Sequence, residues 1–330
     1  MIEKLNLGKD YRKKISSSLE NCLTTTKLKS ANSYIGKVRD TYDFEDKLVI
    51  ITTDRQSAFD RILATIPFKG QVLNETGKWW FEQTKEIIPN HSINYPDPNV
   101  TVAKKCTPFP IEFVVRGYIT GSSSTSLWTV YEKGEREYCG NKLPNGLSKN
   151  QQLPEPIITP TTKEEKHDRP ISPNEIIKDG WMTKKQWEYC SKKALELFSF
   201  GQKKAADKGL VLVDTKYEMG ISNEGNVTLI DEIHTPDSSR YWIKNTLNER
   251  ITLNKEPVNI DKEFLRLWFK NNCDPYNDDK LPNAPEDLVV ELSSRYILLY
   301  EMITGENFQF PDNSISLEER ILTNLQYLYV

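Results

Sequence analysis

The chain has 330 residues, 44 Lys and Arg against 47 Asp and Glu, and a formal net charge of -3, which supports one large or two to three ordinary domains and argues against a general nucleic-acid binder, although local basic pockets can still meet anionic small molecules. Its five cysteines (Cys22, Cys106, Cys139, Cys190 and Cys273) lie far apart, without a CxxC or metal spacing, and fit reduced, buried thiols. No apolar run approaches membrane-spanning length and the N-terminus lacks a signal-peptide core, so a soluble, cytoplasmic protein without a membrane partner is expected.

Residues 1–30 are polar and lysine-rich and predict a helical extension without chemistry. Strand text follows from Gly36 to Phe44 and from Lys47 to Thr53. Leu73, Trp80, Phe81 and Ile87 recur at helical spacing between Val72 and Ile88, where Pro89 stops the helix. Val100–Lys105 and Ile111–Val115 read as strands, with Pro108 and Pro110 predicting a break and a hinge between them. Residues 134–178, rich in Gly, Pro, Asn and Lys, predict a long irregular excursion of a kind that is usually functional or mobile. A helix is predicted over Thr183–Lys208, striped by Trp187, Cys190, Leu195 and Phe198. Further helices are predicted at Asp261–Asn271, Pro285–Thr304 and Ser316–Leu328. Strands first and helices later indicate an α+β class.

Two apolar strands interrupted by charge lie between the long helix and the C-terminal ones. In Leu210–Gly220, alternation points Val211, Val213, Tyr217 and Met219 one way and Asp214, Lys216 and Glu218 the other. Three ionisable side chains in a row on so apolar a strand need partners, and the second strand adds Asp231 and Glu232. Hard oxygen ligands beside a lysine suit a magnesium–phosphate site; a solvated hairpin with surface ion pairs is the alternative. A four-residue loop, Asn223–Asn226, pairs Ser222 with Val227 and sets Glu218 opposite Asp231, close enough to share one metal ion. A five-residue loop shifts the register by one and sends Asp231 to the other face.

Other segments carry weaker signals. Gly36 beside Lys37 and Arg39, both on one strand face, suits either a lid over phosphates or a solvated strand edge, and no Walker motif is present. Asp54, Arg55, Ser57 and Asp60 crowd the exit of an apolar strand, as a functional loop or as a turn capped by Asp54 or Ser57. Arg116 precedes a glycine-serine stretch through Ser122, a receptor for a phosphate monoester or a flexible serine loop. His167-Asp168 has no nucleophile partner and reads more readily as a surface turn than as a dyad. Asp237, Ser238 and Arg240 can close over a second anionic group, with helix capping as the other role for Asp237.

Taken in order, GKVRDTYD at 36–43, TTDRQSAFD at 52–60, VVRGYITGS at 114–122, PEPIITPTTK and HD within 154–168, LVDTKYEMG at 212–220 and LIDEIHTPDSSRYW at 229–242 resemble the SAICAR synthetase (phosphoribosylaminoimidazole-succinocarboxamide synthase) family. The resemblance spans about residues 34–245, and it is closer to the longer, yeast-like branch, for which a monomer is favoured. It implies the family's α+β fold. A small antiparallel N-terminal sheet lobe over 1–113 covers ATP in a cleft, 114–250 forms a larger α+β domain with metal and substrate, and 251–330 forms a helical part packed on that second domain.

The implied reaction is an ATP-dependent ligation of purine biosynthesis. ATP phosphorylates the carboxylate of 5-aminoimidazole-4-carboxylate ribonucleotide (CAIR), and the amine of L-aspartate then displaces phosphate from the acyl phosphate. By resemblance Lys37 and Arg39 hold ATP phosphates, Glu218 and Asp231 bind Mg2+, and Lys216 lies near the phosphates. Adenine sits at the hinge from Lys104 to Glu112, read by backbone amides. Arg116, Ser122, Asp214 and Arg240 take the CAIR ribose and phosphate. Asp54, Arg55, Ser57, Asp60 and the loop with Asp168 surround the reacting carboxylate and the incoming aspartate. Lys216, Asp214 and Asp168 are the expected catalytic residues, with Asp237 and Ser238 beside the substrate. A kinase-like small-molecule phosphotransferase is the alternative, although the HRD and DFG motifs are absent.

Overall fold

The structure is a computed structural model that describes residues 9–30, 32–163, 168–312 and 314–329. It divides into two compact units. The first gathers the described residues up to Trp80, Ser92–Lys105 and those from Ile260 onward; the second is Phe81–His91 with Cys106–Asn259.

In the first unit the expected helical extension shrinks to α1 (Arg12–Ser16); residues 1–8 lie outside the described residues. An antiparallel sheet follows, with β1 (Ser33–Ile35), β2 (Arg39–Phe44) and β3 (Lys47–Thr52), then the separate hairpin of β4 (Arg55–Ala58) and β5 (Arg61–Thr65), the helix α2 (Lys69–Thr84), and the sheet strands β6 (Ser92–Asp97) and β7 (Val100–Lys104). The strand order is β1-β2-β3-β7-β6. Alternation buries Val49 and Ile51 of β3 against Val100 and Val102 of β7, while Ile50 and Thr101 lie on the other face, where Thr101 is also buried and donates to Asn74 Oδ1 at 2.7 Å. Gly36–Val38 is a turn rather than strand, so Lys37 does not share a strand face with Arg39. The Gly36 amide donates to Arg39 O at 2.8 Å, and a Cβ at Gly36 would stand 2.8 Å from that oxygen.

The second unit opens with β8 (Cys106–Tyr118), one continuous strand of 13 residues. The expected proline break is absent. Pro108 and Pro110 precede the stretch paired on the outer edge, which begins at Ile111, and Pro108 faces Gly220 beside a register irregularity. Proline is tolerated where the ladder is incomplete. The excursion over 134–178 is more ordered than expected. After α3 (Leu127–Glu132) come β9 (Glu137–Tyr138) and β10 (Asn141–Lys142), then β11 (Gln152–Ile158), β12 (Thr161–Thr162) and α4 (Pro173–Lys178). Thr183 and Gln186 form a capping box at the start of α5 (Lys184–Asp207), as their spacing favours. The unit ends with β13 (Leu210–Ser222), β14 (Val227–Ile230), β15 (Ser239–Ile243) and α6 (Lys244–Thr252). Its main sheet runs β11-β8-β13-β14, with β12 beside β8 and β15 beside β13.

The C-terminal helices α7 (Glu263–Asn272), α8 (Glu286–Thr304) and α9 (Leu317–Asn324) match the predicted spans closely. They belong to the first unit, which corrects the expectation that 251–330 pack on the second domain. The reason is apolar. α8 is buried along nearly its whole length, and Leu288, Leu292 and Tyr296 join Leu265 and Phe269 in one core with Ile15, Leu63, Val72 and Leu73. A helix apolar on most sides must be covered on most sides.

Candidate active site

Side chains two apart on a strand share a face, so Asp214, Lys216 and Glu218 line one side of β13. Antiparallel partners directly opposite share that side. β8 sets Arg116 against Asp214 and Glu112 against Glu218, without irregularity between these points. β15 sets Arg240 against Asp214 from the other edge. The result is a row of charge on a strand whose Leu212, Val213, Tyr217 and Met219 are fully buried.

At one end Glu112 and Glu218 stand opposite each other, which is unfavourable for like charges. Lys216 offsets it. Its Nζ contacts Glu218 Oε1 and lies 3.0 Å from Asp231 Oδ2 and 3.5 Å from Glu112 Oε1. Lys163 Nζ pairs with Glu218 Oε2, and Thr161 Oγ1 donates to Glu112 Oε2 at 3.2 Å. Burial opposes the charge on Lys216, but Glu218, Asp231, Glu112 and Glu232 outweigh it and hold the ammonium well above its usual pKa.

The hairpin turn has five residues. Ile221 pairs with Val227 and Glu218 with Ile230, one step from the register expected of a four-residue loop. Ser222 N donates to Asn226 O at 2.9 Å instead of opening a further ladder rung toward Val227. Register alone would turn Asp231 away from Lys216. However, β14 ends at Ile230 and Asp231 takes a φ of 65°, which returns its carboxylate to the ammonium. Glu218 and Asp231 therefore meet at Lys216 through a left-handed residue, not through the ladder.

At the other end Arg116 and Arg240 flank Asp214, with Nη1 atoms 3.7 and 3.5 Å from its Oδ2. That oxygen is buried and accepts no hydrogen bond. Two guanidinium groups converge on this one carboxylate. Arg116 Nε donates to Thr159 Oγ1 at 2.8 Å, which fixes the plane of its fork. Burial pushes the Arg116 pKa down, against the pull of Asp214 and with the push of Arg240, so an anion here would be favoured. Gly121, at a φ of 107°, lets the loop to half-buried Ser122 pass Arg240; a Cβ there would lie 3.1 Å from Arg240 Nη1 and 2.5 Å from Ser126 Cβ. Asp237 and Ser238 form the turn before β15, their amides 3.3 and 3.2 Å from Thr235 Oγ1. A strand rather than a helix follows, so Asp237 caps no helix.

Residues of the first unit divide differently. Both carboxylate oxygens of Asp54 accept backbone amides, from Leu23 at 2.7 Å and Gly70 at 2.8 Å; it is buried and caps the first turn of α2. Burial, opposed by those amides, lifts its pKa to about 6. Arg55 donates to Thr24 O at 2.5 Å, Gly36 O at 2.9 Å and Lys37 O at 3.3 Å, and pairs with buried Asp40. We reassign Asp54 and Arg55 from substrate contact to holding the fold, because their polar atoms are spent on backbone. Ser57 lies half-buried in β4 opposite Ile62. Lys37 and Asp60 are exposed and pair at 2.6 Å, Arg39 is half-buried opposite Thr52, and Lys104 is exposed at the end of β7. Asp168 is exposed, and His167 lies outside the described residues.

Lys163 and Thr159 were missed by sequence reasoning, and Glu112 was given only a hinge role. The available signal was charge counting, since several carboxylates around one lysine require a second cation. Among the described residues no three His, Cys, Asp or Glu side chains are arranged to hold a metal; ammonium groups stand between the carboxylates. Two carboxylates converging on a cation are nevertheless a donor set that magnesium uses when phosphates supply the rest, so Glu218 and Asp231 fit it as ligands. No helix of the described residues is long and apolar enough to cross a membrane.

Comparison with known proteins gives the chemistry a context. The model of a family described as SAICAR synthetase matches residues 32–282. A phosphoribosylaminoimidazole-succinocarboxamide synthase of Legionella pneumophila (strain Paris) is 62% identical over 305 residues, covering 92% of this chain and 98% of that protein. The SAICAR synthase of Saccharomyces cerevisiae complexed with SAICAR superposes with a TM-score of 0.74 at 30% identity, over 87% of this chain and all of that one. A type-2 SAICAR synthetase in complex with ADP gives a TM-score of 0.65 at 25% identity, over 84% of this chain. Fold and relatives define an α+β ligase that forms a carbon–nitrogen bond. The chain belongs to the SAICAR synthetase family.

Proposed function

We propose that the protein joins L-aspartate to the carboxylate of CAIR at the expense of ATP, giving SAICAR, ADP and phosphate. The observation that carries the residue assignment is the charged face of β13, with a guanidinium pair at Asp214 and a lysine among carboxylates at Glu218. Arg116 and Arg240 bind the phosphate of CAIR, kept apart and oriented by Asp214, with Ser122 and Ser238 at its rim. Lys216 neutralises charge on the transferring phosphoryl group. Glu218 and Asp231 would hold Mg2+, which when bound neutralises the nucleotide phosphates.

In the first step a carboxylate oxygen of CAIR attacks the γ-phosphorus and ADP leaves. In the second the aspartate amine attacks the acyl carbon, phosphate leaves and the nitrogen sheds a proton. No protein nucleophile is needed, so positioning and charge do the catalysis. We place the protein in the cytoplasm, in keeping with five widely separated cysteines and no CxxC pair. The test is ADP release with CAIR and aspartate omitted in turn. Release that requires both supports the ligase; release with CAIR and a hydroxyl acceptor but no amine would instead mark a phosphotransferase.

A further inference from the structure

The register leaves Asp231 one step out of phase with the face it serves, so something other than the ladder must hold it. Asp231 and His234 both take left-handed backbone, with φ of 65° and 50°. Non-glycine residues keep such angles only where their surroundings over-determine them. Those surroundings are buried. His234 is 0% exposed, its Nε2 shares a hydrogen bond with Tyr217 Oη, and its carbonyl accepts from Tyr241 Oη at 2.8 Å. Burial drives the imidazole pKa down to about 3, so the ring is neutral. Tyr217 sits on β13 between Lys216 and Glu218 and points to the opposite, apolar face. Gly201 of α5 makes the room, since a Cβ there would overlap His234 Cε1 and lie 2.8 Å from Nδ1. Thr235 Oγ1 donates to Glu232, which closes the turn on itself. A shift of the imidazole therefore moves the whole turn.

We propose that Gly201, Tyr217 and His234 are positioning residues: they lock the turn from Asp231 to Thr235 and thereby aim the Asp231 carboxylate at the nucleotide step. This rests on the reading of Asp231 given above and adds residues that touch no substrate. The strand binds charge on one face and anchors the returning turn on the other. Register slip and turn displacement are then separate ways to lose the site.

The test is isothermal titration of the full chain with Mg·ADP, and separately with CAIR, for wild type, Tyr217→Phe, Asp231→Asn and the double variant. Tyr217→Phe removes one hydroxyl and keeps the ring volume. It should weaken Mg·ADP about fivefold, the scale of one hydrogen bond, and leave CAIR binding unchanged. The double variant should bind Mg·ADP no more weakly than Asp231→Asn, because a residue acting through Asp231 has nothing left to act on. Gly201→Ala, which suits a helix better than glycine while displacing the imidazole, should repeat the pattern and covers the case in which Tyr217→Phe does not fold. A Tyr217 penalty that persists undiminished beside Asp231→Asn, or equal weakening of CAIR and Mg·ADP, would overturn the positioning role. If Asp231→Asn weakens Mg·ADP while Tyr217→Phe and Gly201→Ala do not, positioning alone fails. If Asp231→Asn itself has no effect, the reading of Asp231 fails and takes the inference with it.

Discussion

Arg116→Ala separates the two ends of the charged row. In the native protein Arg116 and Arg240 approach one carboxylate, Asp214, from 3.7 and 3.5 Å, and both are proposed to bind the phosphate of CAIR. Without Arg116 the proposed phosphate site loses one guanidinium and the Asp214 carboxylate loses one of its two arginines. A hydrogen bond to a charged group is worth about 1.5–3 kcal/mol, and each 1.4 kcal/mol or so is a factor of ten. The KM for CAIR should therefore rise about 10- to 150-fold. The KM for ATP should change by less than about twofold, because Lys216 and its carboxylates keep every partner and removal of uniform binding shows in KM alone. Coupled ADP release at saturating aspartate reads both constants. Arg116→Lys keeps the charge but loses the Nε bond to Thr159, so it should fall between wild type and alanine. Equal increases in both KM values, or a loss confined to kcat, would refute the division of the row into a phosphate end and a nucleotide end.

On the proposed role of Asp231 in holding Mg2+, Asp231→Asn should abolish most turnover, while thermal denaturation shows a melting point near that of wild type; near-normal ADP release would contradict it. Arg55→Ala leaves Asp40, 0% exposed, without its cation, so it should destabilise by about 3–5 kcal/mol with the KM for CAIR and for aspartate unchanged; a specific rise in either KM would restore Arg55 to the site. Burial lifts the Glu75 carboxyl from 4.5 to about 7 against the hydrogen bond from Gln71. A carboxyl raised by folding stabilises the native state below its unfolded pKa, and that contribution is lost as the pH rises through about 7. Glu75→Gln should then match wild type in urea denaturation near pH 5 and exceed it by about 2 kcal/mol at pH 8; a difference independent of pH would refute the burial argument.

The legible parts of this chain are those where local chemistry and tertiary need agree. Val49 and Ile51 alternate because one face of β3 is covered, and the text over 285–304 was readable as the helix that became α8. The charged face of β13 was readable for the same reason, since charges on an apolar strand demand partners. What escaped depended on atoms distant in sequence. Nothing in the segment around Thr52 says that Asp54 caps α2 through Gly70, or that Arg55 spends its donors on Thr24, Gly36 and Lys37. Pro108 and Pro110 suggested a break because their tolerance rests on where β11 and β12 stop pairing. The turn after Ile221 stayed open between two lengths because the four-residue and five-residue closures use the same Asn, Glu and Gly text, and the structure takes the five-residue one.

The five-residue turn puts Asp231 out of phase with the charged face of β13. Along β13 a rise of about 3.3 Å per residue separates Asp214 from Glu218 by roughly 13 Å, a fixed spacing between the end proposed to bind phosphate and the end proposed to hold the metal. The β8 ladder is regular between these points and irregular just beyond Glu218, while the shift against β15 lies just before Asp214. Distortion is thus kept outside the measured interval. A substrate with a phosphate at one end and a carboxylate to be activated at the other needs that interval more than it needs any single contact, because misplacing reacting atoms by an ångström can cost about a hundredfold in rate. Asp231 is the member the interval cannot supply. It arrives from a strand in the wrong phase and is corrected by a left-handed turn, so the placement least determined by the sheet depends most on the packing behind it.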